Sequence, residues 1–98
     1  MTAWDWVLHR PEGQFLERKS CYDRSGKRVR RRDVRSVAKD VAETLSAMAN
    51  VDGGTVAVGV ENDGTPTGVD YPADRLRVLQ EAPRNLVDPP LRARMEAP

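Results

Sequence analysis

The stretch from Ala47 to Val69 constrains the fold more than any other part of this chain. It runs Ala47-Met48-Ala49-Asn50, then Gly53-Gly54, then Thr55-Val56-Ala57-Val58-Gly59-Val60, then Glu61-Asn62-Asp63-Gly64 and Thr67-Gly68-Val69. Glycines directly after an apolar helical run supply the permissive backbone that lets a helix end and the chain turn away. The β-branched and apolar run from Thr55 to Val60 predicts a strand covered on both faces. Asn-Asp-Gly is a hairpin turn signal, because Asn and Asp tolerate left-handed conformations and Gly prefers them. Thr67 to Val69 is the predicted return strand.

The helix that feeds this stretch is strongly marked. Val34, Val37, Ala38, Val41, Leu45 and Met48 fall at offsets 0, 3, 4, 7, 11 and 14, one apolar stripe on a 3.6-residue period. Asp33 stands in the N-cap position, and the helix is expected to end near Asn50. Arg35, Lys39, Asp40 and Glu43 lie off the stripe and are expected to meet solvent. Before it, Thr2 to His9 has helical spacing with Thr2 as its cap, and Pro11 blocks continuation past Arg10. Gln14 to Lys19 is a predicted strand, with Phe15, Glu17 and Lys19 on one face and Leu16 and Arg18 on the other. Ser20 to Arg32 is predicted to be an exposed loop around Ser25-Gly26. After the hairpin, Pro72 to Gln80 is a second, shorter helix, and the prolines from Pro83 onward argue against further regular structure. The fold class that follows is α+β: a small mixed or antiparallel sheet packed against one main amphipathic helix plus a shorter second one.

Charge narrows the partners. The chain has 98 residues and a net charge of +1, yet Arg24, Lys27, Arg28, Arg30, Arg31, Arg32 and Arg35 lie within twelve positions that contain one acid, Asp33. That block carries six net positive charges and leaves the remainder at −5. A flexible basic block running into a helix N-terminus is a nucleic-acid footprint, since guanidinium groups pair with phosphates and helix amides favour anions. Arg28, Arg30, Arg31, Arg32 and Arg35 are the expected phosphate contacts; the ordinary alternative is a solvated loop. No aromatic residue interrupts the block, so base stacking from it is not expected. Cys21 is alone, which rules out an internal disulfide and reads as a partly buried thiol. The chain lacks an apolar run long enough to span a membrane and a secretory signal at its start, so no membrane partner is expected and the cytosol is the default compartment. His9 has no zinc-ligand pattern around it, and Gly53-Gly54 lacks the residues of a nucleotide-binding loop.

Glu12, Glu17 and Lys19 form the other constellation. Two carboxylates beside a lysine can hold a divalent cation and orient a water toward a phosphodiester. From spacing alone, a surface ion pair is equally served. The acidic turn Glu61-Asn62-Asp63 follows a buried strand and can approach Glu17, although turn chemistry already accounts for it.

Taken in order, Glu12, Leu16-Glu17-Arg18-Lys19, Ala47-Met48-Ala49-Asn50, Gly53-Gly54-Thr55, Val58 to Gly64 and Gly68-Val69 resemble the Schlafen AlbA-like domain family. The resemblance covers roughly Glu12 to Val69. It implies an α+β fold, binding of DNA or RNA, frequent homodimerisation, and a place at the start of a longer prokaryotic regulator or ATP-binding protein. On that basis residues 1–98 are expected to be one domain short of its last strand. Some members cut structured RNA with two glutamates, a hairpin acid and a divalent metal. By position Glu12 and Glu17 match the glutamates, with Mg²⁺ or Mn²⁺ as the implied cofactor. The hairpin acid is Asn62 here, and an amide brings an oxygen but no charge. Three roles follow as expectations: nucleic-acid binding first, a metal-dependent ribonuclease using Glu12, Glu17 and Lys19 second, and a dimerisation or assembly module third.

Overall fold

A computed structural model of the protein describes residues 3–13 and 15–95; the expected cap at Thr2 and strand start at Gln14 lie outside them. The elements run α1 (Ala3–His9), β1 (Leu16–Lys19), β2 (Tyr22–Asp23), β3 (Arg30–Arg31), α2 (Val34–Ala49), β4 (Thr55–Val58), α3 (Ala73–Gln80) and α4 (Ala82–Asn85). The fold is α+β. Its strands form two separate pairs, β1 with β4 in parallel and β2 with β3 antiparallel.

α2 organises the molecule, because its apolar stripe has nowhere else to go than a core. Val34, Val37, Ala38, Val41, Ala42 and Met48 are buried along it. With Cys21, Leu79 and Ala82 they make the main core, on which Val56, Val58, Tyr71 and Leu76 also pack. A second, smaller core holds Val7, Leu16, Ala57 and Val60. The register of the parallel pair explains the division: Glu17 lies beside Val56 and Lys19 beside Val58, while Leu16 and Arg18 lie beside Thr55 and Ala57. Side chains alternate along a strand, so one face of the pair turns to α2 and the other to α1.

Arg18 sits on the α1 face and is only 5% exposed. Its guanidinium donates to the Val7 carbonyl from Nε at 3.1 Å and from a terminal nitrogen at 2.8 Å. It also donates to the carbonyls of Arg10 and, at 3.4 Å, of Asn62. These are the carbonyls that the end of a helix and a tight turn leave without partners, and the helix C-terminus carries partial negative charge. A buried cation is therefore held by backbone oxygens that need donors. The arginine fills this position with a polar staple.

The hairpin departs from expectation in its details. Glu61 N–H donates to Thr65 O and Gly64 N–H to Glu61 O, both at 2.9 Å, and Asp63 Oδ1 accepts from Thr65 N–H at 2.9 Å. Gly64 is at φ +91, whereas Asn62 and Asp63 keep ordinary negative φ. The left-handed residue is thus confined to the glycine, as in a type I turn closed by one. A side chain on Gly64 would strike the Leu8 carbonyl, so the turn is also pressed onto α1. β4 stops at Val58, short of the expected Val60, because Gly59 takes φ +84. Thr67 and Gly68 N–H both donate to the Gly59 carbonyl at 2.9 Å. Only the isolated Val60–Pro66 bridge remains of the predicted return strand.

Three further expectations are corrected. Within the segment read as a loop, Tyr22–Asp23 pairs with Arg30–Arg31, and Arg32 N–H reaches Cys21 O at 2.8 Å; Cys21, at 0% exposed, anchors the hairpin base in the core. Asp33 occupies the N-cap, but its side chain makes no capping bond. Its carbonyl accepts from Ser36 and Val37 instead. α4 forms despite Pro83, which sits in the first turn where its missing N–H has no helical partner to lose.

Replacing Arg18 by Met keeps side-chain bulk but leaves the Val7, Arg10 and Asn62 carbonyls without their donor. Urea denaturation should show a loss of about 2–4 kcal/mol, accompanied by a change in tryptophan fluorescence as α1 loosens. An unchanged midpoint would show that the staple contributes nothing.

Candidate nucleic-acid interface and carboxylate pair

β1 positions Glu17 and Lys19 on the face covered by α2. Glu12 reaches them because the chain doubles back: Gly13 and Leu16 exchange backbone hydrogen bonds at 3.1 and 3.3 Å. Glu12 Oε2 then accepts the Arg18 N–H on the outer edge of β1 at 3.3 Å. The Glu12 carboxyl beside Glu17, together with burial, raises the pKa of Glu17 above the usual carboxylate value against the pull of Lys19.

Lys19 is committed elsewhere. Its Nζ is 2.9 Å from Asp40 Oδ1, and Arg32 approaches the other oxygen of Asp40 at 3.4 Å. Burial alone would raise the Asp40 pKa, but Lys19 and Arg32 outweigh it and hold the carboxyl below its ordinary value. Asp40 is half-buried, so its expected place in solvent is corrected. The reason is that α2 lies over the polar side of β1, where an off-stripe acid finds a lysine.

The hairpin supplies no third acid. Glu61 Oε2 accepts from the Ser20 hydroxyl at 2.5 Å and the Thr67 hydroxyl at 2.7 Å. Its Oε1 pairs with Arg24 at 3.2 Å. Burial would raise the Glu61 pKa, yet these bonds from Ser20, Thr67 and Arg24 hold it low. Asn62 presents its carbonyl to Arg18 while the residue itself is exposed. Among the described residues no group of three or more His, Cys, Asp or Glu side chains is arranged to hold a metal ion. What remains is a pair of oxygen donors, Glu12 and Glu17. That pair suits a hard divalent cation that keeps several waters, as Mg²⁺ commonly does with one or two carboxylates.

The basic block divides in two. Arg24 pairs with Glu61, and Arg32 binds Asp40 and the Ser20 carbonyl. Arg31 donates to the Asp70 carbonyl at 2.6 Å and lies 5.2 Å from the centroid of the Tyr71 ring. Lys27, Arg28, Arg30 and Arg35 are exposed and make no hydrogen bond or ion pair with the described residues. The β2–β3 ribbon and the start of α2 thus carry a patch of uncommitted cations. The sequence drew all of these arginines together but could not separate those bound inward from those left outward. Asp40, Glu61 and Tyr71, which make that separation, are distant in sequence and carry no local signal of it.

With that geometry established, comparison with known proteins adds the family. The family model described as "Schlafen, AlbA_2" matches residues 12–97, and the chain belongs to that family. No curated protein and no solved structure matches it.

The raised Glu17 pKa has a signed consequence. Stability linked to Glu17 is fully present below the unfolded carboxylate pKa and is lost as pH rises through the higher folded value. Glu17→Gln cannot ionise and removes that loss. In thermal melts it should gain on the wild type as pH rises above the ordinary carboxylate pKa of about 4; a difference that stays constant with pH would show that Glu17 titrates normally.

Proposed function

We propose that this domain binds nucleic acid through the phosphate backbone, using the tip of the β2–β3 ribbon and the first turn of α2. The observation that carries this reading is the set of exposed cations Lys27, Arg28, Arg30 and Arg35, whose side chains make no hydrogen bond or ion pair with the described residues, beside Arg24 and Arg32, which pair with Glu61 and Asp40. A patch left uncompensated while acids nearby are spent on other cations is poised for an external anion. Membership of the Schlafen, AlbA_2 family supports the same reading. Contacts of this kind fix position on the backbone and carry little sequence information.

Salt dependence tests it. Four phosphate contacts on duplex DNA correspond to a slope of log affinity against log salt of about −3.6. The double variant Arg28→Glu/Arg30→Glu should bind at least about tenfold more weakly at low salt and with a shallower slope. Binding equal to wild type at low salt would remove the patch from the interface.

A second reading rests on the Glu12–Glu17 pair: a metal-dependent ribonuclease acting on structured RNA. A divalent cation held there would supply a Lewis acid for phosphodiester cleavage. Glu12 and Glu17 would be its ligands, and Glu17 would release its proton on binding. Lys19 would have to leave Asp40 to meet a phosphate, with Arg32 remaining to balance that acid. Incubation with tRNA in Mg²⁺ or Mn²⁺ decides: cleavage abolished by Glu17→Gln supports this reading, and RNA intact with both metals rejects it.

A further inference from the structure

The basic ribbon contains an aromatic platform that no local sequence pattern announces. Tyr71 comes from the segment between the Gly64 turn and α3, and its ring lies under the guanidinium of Arg31, 5.2 Å from centroid to guanidinium carbon. The arrangement is fixed on several sides. The Tyr71 hydroxyl donates to the Arg32 carbonyl at 2.8 Å, and its ring packs on the main core. Burial and the neighbouring Cys21 push its pKa up to about 12, so the hydroxyl stays protonated as that donor. Arg31 is held by the Asp70 carbonyl at 2.6 Å and, through its backbone, by pairing with Tyr22. It is nevertheless exposed. Tyr71 thus flanks the guanidinium of a residue that stays exposed.

A cation restrained in this way differs from Arg28 and Arg30, which are free to follow phosphates. A planar guanidinium backed by an aromatic ring offers a flat, preorganised surface, and nucleobases stack on guanidinium planes as well as on aromatic rings. Little side-chain freedom is left to lose on contact, because the residue is already ordered.

We propose that Arg31, seated on Tyr71, is a stacking site for an unpaired nucleobase, so that the ligand of this interface is single-stranded or locally opened nucleic acid. This deepens the backbone-binding reading above and rests on it. A base inside a duplex presents no free face to such a platform, whereas every unpaired base does.

Arg31→Lys tests the proposal, because it keeps the charge and removes the plane. The position is exposed, and circular dichroism verifies that the variant is folded. Binding is measured for one oligonucleotide carrying a fluorescent purine analogue, as a single strand and annealed to its complement. The wild type should quench the analogue in the single strand. The variant should bind the single strand roughly 5- to 100-fold more weakly, lose the quenching, keep the salt slope and leave duplex affinity nearly unchanged. A folded variant that matches the wild type in single-strand affinity and quenching overturns the stacking role. Salt-sensitive wild-type binding without quenching also overturns it while leaving the backbone interface standing. Failure of the wild type to bind either form at low salt overturns the interface reading itself.

Discussion

The buried guanidinium of Arg18 is the interaction on which the arrangement of the site depends. Removing an ion from water costs several kcal/mol unless its surroundings replace the lost solvation. Here the replacement comes from backbone oxygens of Val7, Arg10 and Asn62, groups that a helix end and a turn leave in need of donors. One side chain thereby joins α1, β1 and the hairpin turn. Glu12 lies between two of its anchor points, two residues after Arg10, and accepts the Arg18 N–H. The carboxylate pair thus inherits its geometry from a residue that takes no part in its chemistry.

Electrostatics sort the remaining charges into two populations. Lys19 and Arg32 share the carboxylate of Asp40, and Glu61 pairs with Arg24. Those pairs join the base of the basic ribbon to α2 and to the hairpin. Each is partly exposed and worth little individually, but together they spend Asp40 and Glu61 on the base of the ribbon, and its tip keeps exposed cations with Asp23 as the acid beside Arg30. A small domain with a near-neutral total can therefore present a concentrated cationic surface.

How much of this the sequence disclosed follows the range of each interaction. The α2 stripe, the Gly-Gly exit, the alternation of β1 and the shorter helix from Pro72 are local patterns, and each appears where its periodicity placed it. The hairpin turn was legible from Asn62-Asp63-Gly64, but Gly59 bends the strand ahead of it and removes the return strand. Glu12 and Glu17 could be named from their order, while their proximity depends on the Gly13–Leu16 reversal. Tyr71 beneath Arg31 and Asp40 beside Lys19 join positions that no short window spans. The Cys21 anchor under the basic ribbon was hidden for the same reason, since composition marked the segment as solvated and only the core shows what holds its base.

The alternation within Glu17-Arg18-Lys19 has one more consequence. A parallel pair of four-residue strands is short enough for neighbouring registers to compete, and apolar side chains alone would discriminate weakly among Val56, Ala57 and Val58. Sliding β1 by one residue turns its faces over. It would aim the carboxylate of Glu17 at the carbonyl-lined end of α1, where negative meets negative, and leave Asp40 facing a guanidinium that α1 can no longer satisfy. The charge pattern of three adjacent residues thus acts as an indexing key against the one-residue slip.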